Sequence, residues 1–114
     1  MSAVTSAAIS TEQQQKAARA ALLERLHTAA LHTQLQFLAM EVTGQSLRDD
    51  ELLIVTNYIE CEKIRFDFFA NFIRSAAEKT DIGIKGFVVW AGFAADSWEK
   101  LGGAEGWALL GGNQ

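Results

Sequence analysis

A break only a few residues long, at 42–46, separates two stretches whose apolar residues recur at helical spacing. No other feature of the chain constrains its fold as strongly. The first stretch, 10–42, opens at Ser10 or Thr11, each followed three residues later by a glutamine in capping-box spacing. It stops before Gly44, the residue type best suited to a left-handed helix end. The second stretch, 46–79, opens at Ser46, with Asp49, Asp50 and Glu51 at the positive end of its dipole. Read as uninterrupted helices, each runs for about 32 residues, or roughly 48 Å at 1.5 Å per residue. So short a connection makes them antiparallel neighbours.

Asp81 caps a third, shorter helix over 82–101, which Gly102 and Gly103 end, and one further turn fits near 105–110. Proline, the commonest helix breaker, is absent throughout. The expected fold is all-α: an antiparallel hairpin of two long helices plus a shorter third helix, a helical bundle completed by oligomerisation. Residues 1–9 read as an N-terminal arm, 10–101 as the helical domain and 102–114 as a Gly-rich C-terminal tail.

Composition narrows the function classes. The 114 residues suffice for one domain with a modest core. At 49% hydrophobic residues the chain is too apolar to be disordered. A net charge of −4, with no local Lys/Arg cluster, gives no footprint for nucleic acid. Cys61 is the sole cysteine, so no internal disulfide framework exists. The most apolar stretch, 84–95, contains Lys85 and falls well short of the roughly 20 residues of a membrane span. Residues 1–9 carry no basic residue and no long apolar core, unlike a secretory signal. A cytoplasmic protein without a membrane span is the expectation.

The faces of the helices are more telling. Leu52, Val55, Ile59, Glu62, Phe66, Phe69, Ile73 and Ala76 form one seam of the second helix, with Ile54, Tyr58, Cys61, Arg65, Phe68 and Phe72 beside it. Asp50, Asn57, Glu60, Lys63, Asp67, Asn71, Arg74 and Glu78 fall on the solvated side. The first helix carries two stripes, Leu31, Leu35, Leu38 and Val42 on one side and Leu22, Leu26, Thr33, Phe37 and Met40 on another. At about 100° per residue the stripes lie roughly 140° apart, the mark of a helix sandwiched between neighbours. Phe87, Trp90, Ala91, Ala94, Trp98 and Leu101 share a face of the third helix, which is too short to cover the whole hairpin. The uncovered apolar surface calls for a homo-oligomer or a protein partner, with Leu31, Leu35, Phe37, Leu38, Trp90, Trp98 and Trp107 as the candidate interface.

One constellation points to chemistry. Glu24 and His27 have the Glu-x-x-His spacing by which a helix presents a carboxylate and an imidazole to a metal. In a hairpin turning at Gly44, residue i lies level with about residue 88 − i, which sets Glu62 and Cys61 beside His27. Glu24, His27 and Glu62 are thus the candidate metal ligands. Against this, only two histidines exist in the chain, and Arg65 stands three residues from Glu62 to neutralise it. The competing reading is a polar layer that sets helix register, with no bound cofactor.

His27, Gln34 and Glu41 also recur every seven residues, a spacing that suits either a ligand slot or interfacial hydrogen bonds. The aromatic residues Phe66, Phe68, Phe69, Phe72, Trp90 and Trp98 suit an apolar pocket or an ordinary core. No catalytic set is complete. The function expected is that of a non-enzymatic helical interaction protein, a small structural subunit or adaptor of a larger assembly. A metal- or small-ligand-binding bundle is the first alternative. An acidic inhibitor or immunity-type protein acting through the charged face of the second helix is the second.

Overall fold

The computed structural model describes the backbone of residues 2–111 and the side chains of residues 11–111. The outermost residues of the predicted arm and tail, 1 and 112–114, lie outside that range. The described residues form five α-helices and no strand: α1 (Ser2–Thr43), α2 (Asp49–Glu62), α3 (Phe66–Lys79), α4 (Ile84–Leu101) and α5 (Gly103–Leu109). The all-α expectation holds. No helix among the described residues is long and apolar enough to cross a membrane.

Helix α1 starts earlier than Ser10, because no glycine or proline interrupts the alanine-rich run from 2 to 43. It ends where expected. Gly44 takes φ 76°, and its N–H donates to the Met40 carbonyl at 2.9 Å. Thr43 Oγ1 donates to the Ala39 carbonyl at 2.7 Å and accepts from the Gln45 N–H at 3.1 Å, closing the turn.

The packing divides the chain into two units, one ending at Leu31 and the other beginning at His32. In the first unit every residue from 11 to 27 is exposed, including Leu22 (48%), Leu23 (60%) and Leu26 (57%), while Leu31 is buried.

In the second unit the expected long helix over 46–79 is two helices. Lys63 adopts φ 53°, a left-handed conformation uncommon for a side chain with a Cβ. The Ile64 N–H then closes onto the Ile59 carbonyl at 3.0 Å, with both isoleucines buried, the pattern of a Schellman ending. Trp98 Nε1 donates to the Glu62 carbonyl at 3.1 Å and satisfies another of the terminal acceptors of α2. The starts also differ. Arg48 rather than Ser46 precedes α2, its N–H held by the Glu51 carboxylate at 2.8 Å, and Gly83 rather than Asp81 precedes α4.

Helix α4 is the centre of this unit, packing against α2, α3 and α5. It buries Phe87, Ala91, Ala94, Ala95 and Trp98, and the small residues among them let neighbouring helices approach closely. A Cβ at Gly92 would stand only 3.5 Å from Tyr58 Oη, so this glycine marks the contact of α4 with α2. Leu35 and Leu38 of α1, Val55 and Ile59 of α2, and Phe69 and Ile73 of α3 complete the core. The aromatic residues belong to it as well. Phe68 has ring-centroid distances of 5.0 Å to Trp98, 5.2 Å to Trp107 and 5.9 Å to Phe72, and Phe72 lies 6.0 Å from Trp90.

Candidate docking groove on helix α1

Within the second unit, α1 shows two contrasting sides. Leu35, Leu38 and Ala39 are at most 2% exposed, whereas Phe37 is 72% and Met40 48% exposed. At about 100° per residue, Phe37 and Met40 sit on the side away from Leu35 and Leu38. Phe37 and Met40, with His32, Thr33, Gln36 and Ser46, line an open groove of about 360 Å³.

Two features position this groove. Gln36 spans from α1 to the following turn: its Nε2 donates to the Leu47 carbonyl at 2.9 Å, and the Leu47 N–H donates to its Oε1 at 2.7 Å. Leu47 is itself buried, so this double bond fixes the segment carrying Ser46 against α1. Further along, Arg74 of α3 grips Glu41 of α1 with Nε and an Nη at 2.8 and 3.0 Å. That hydrogen bond is the main cause holding the Glu41 carboxyl below its usual range and the Arg74 guanidinium above its own. The groove floor is apolar, and the polar atoms of Gln36 are already engaged by Leu47. His32 Nε2 is buried there without a hydrogen-bond partner among the described residues.

The sequence-predicted residues are distributed unevenly. Phe37 lies on the groove. Leu35, Leu38 and Trp98 fill the core of the chain itself and offer no surface to a partner in this conformation. Trp90 and Trp107 are half-buried in the aromatic stack. Leu31 is buried in the first unit.

Glu24, His27, Glu62 and Cys61 are all exposed. Glu24 and His27 belong to the first unit, and Cys61 and Glu62 to the second. Among the described residues, no group of three or more His, Cys, Asp or Glu side chains is arranged to hold a metal ion. Of the strip His27, Gln34 and Glu41, Glu41 is an ion-pair partner of Arg74 and the other two are exposed. The charged face predicted for the second helix, from Asp50 to Glu78, is exposed throughout.

Sequence reasoning set His32 on the polar side of the first helix, where the structure buries its Nε2, and took Ser46 as a helix cap. The stripe containing Phe37 and Met40 was the signal for the groove. Comparison of the chain with protein-family models, with curated proteins and with solved structures finds no significant match.

Proposed function

We propose that the chain is a non-enzymatic helical interaction protein, a small structural subunit or adaptor that associates with further copies of itself through α1. The observation that carries this reading is the exposure of Phe37 and Met40 beside one apolar groove, on the side of α1 turned away from its core residues. Single exposed apolar residues are ordinary, but two walls of one groove form a contiguous patch. Burying a phenylalanine side chain contributes about 2 kcal/mol, enough for one such residue per copy to matter. The first unit points the same way by itself. Leu22, Leu23 and Leu26 are exposed on a helical stretch that gains little from packing in the single chain, and helices draw most of their stability from packing.

The test is Phe37→Glu, followed by size-exclusion chromatography with light scattering at matched concentration. The expected result is a smaller assembly with unchanged helical circular dichroism. Identical masses for the two proteins would remove the support for this reading.

A further inference from the structure

Helix α5 has only seven residues, and none of them is buried. Isolated helices shorter than about 12 residues do not hold in water, so α5 is helical only while it is docked. Its anchor is Trp107, whose ring meets Phe68 edge-on at 5.2 Å and 77°, with Nε1 3.5 Å from an exposed Asp67 carboxylate oxygen. Phe68 does not depend on this contact, since Trp98 and Phe72 also pack on it. Gly102 (φ 98°) precedes α5, Gly103 (φ 67°) opens it and Gly111 (φ 81°) lies beyond it, so left-handed glycines stand at both ends. Docking has one strict requirement: a Cβ at Gly106 would collide with the Leu101 carbonyl at the end of α4. Leu109 and Leu110, 88% and 71% exposed, stand at the far end of the helix.

We propose that α5 is a detachable strap, which docks on Phe68 through Trp107 and leaves as a unit while α2, α3 and α4 stay folded. Docked, it covers one face of Phe68. Released, it uncovers that face and frees Trp107 beside Leu109 and Leu110, which are exposed already. The strap therefore switches the amount of apolar surface that the chain presents.

Hydrogen exchange read by mass spectrometry on the full chain tests this, with Gly106→Ala as the variant that blocks docking and Trp107→Ala as the variant that removes the anchor. In the unmodified protein the amides of α5 are expected to exchange at least about tenfold faster than those of α4, through local opening. Both variants are expected to abolish protection in α5 and leave that of α4 in place. Tryptophan emission shifts to the red in Gly106→Ala. Exchange of α5 only in step with α4, loss of protection through α2–α4 in either variant, or full protection of α5 in Gly106→Ala would each overturn the proposal.

Discussion

Gln36 pairs with both backbone polar groups of Leu47, accepting from its N–H at 2.7 Å and donating to its carbonyl at 2.9 Å. One side chain thereby satisfies a buried residue in the turn between α1 and α2, where no helix or strand bond is available to it. Gln36→Ala leaves two buried groups without partners and is expected to cost about 2 kcal/mol in urea denaturation. Gln36→Glu keeps the acceptor and loses the donor, so its loss should fall between the two. Equal stability of all three proteins would show that the turn does not rely on this contact.

Leu35 and Phe37 lie two residues apart on α1 with opposite surroundings, 0% and 72% exposed. Leu35→Ala opens a cavity in the core and should cost about 3 kcal/mol. Phe37→Ala should change the stability of the isolated chain by less than about 0.5 kcal/mol, while weakening its self-association. Thermal melting at low protein concentration, where assembly is minimal, separates the two effects.

Lys63 ends α2 in a left-handed conformation that costs a residue with a Cβ about 1 kcal/mol. Lys63→Gly is expected to stabilise the chain by up to about that amount, less the backbone freedom that glycine adds to the unfolded state. A β-branched replacement, Lys63→Val, should destabilise it. The ranking of the three denaturation midpoints checks the assignment.

The outline of the fold was legible because it rests on punctuation visible in the residues. Gly44 and Gly102 both adopt the left-handed ends that their chemistry favours. The break inside the second helix was not legible, because lysine carries no signal for φ 53°. One trace of it existed: Glu62, which interrupts an otherwise apolar seam, is the last residue of α2. The groove was half legible: periodicity placed Phe37 and Met40 on one stripe, but only the turn held by Gln36 brings Ser46 beside them.

The Glu41–Arg74 ion pair sets a small pH dependence. The hydrogen bond from Arg74 holds the Glu41 carboxyl below its ordinary carboxylate range. Its stabilisation is therefore complete above the unfolded-state value and is lost as pH falls through the lowered folded value. Both side chains are half exposed, so the contribution should stay below about 1 kcal/mol and shrink with added salt. Glu41→Gln should remove this part of the difference in melting temperature between pH 7 and pH 3, and an unchanged difference would assign the acid sensitivity to other carboxylates.

Native mass spectrometry of the freshly purified, unmodified chain tests self-association through α1 most directly. The expected spectrum is a homo-oligomer without added mass, which Phe37→Glu shifts toward monomer. A monomer at every concentration, or one carrying the mass of a metal or small molecule, would contradict it.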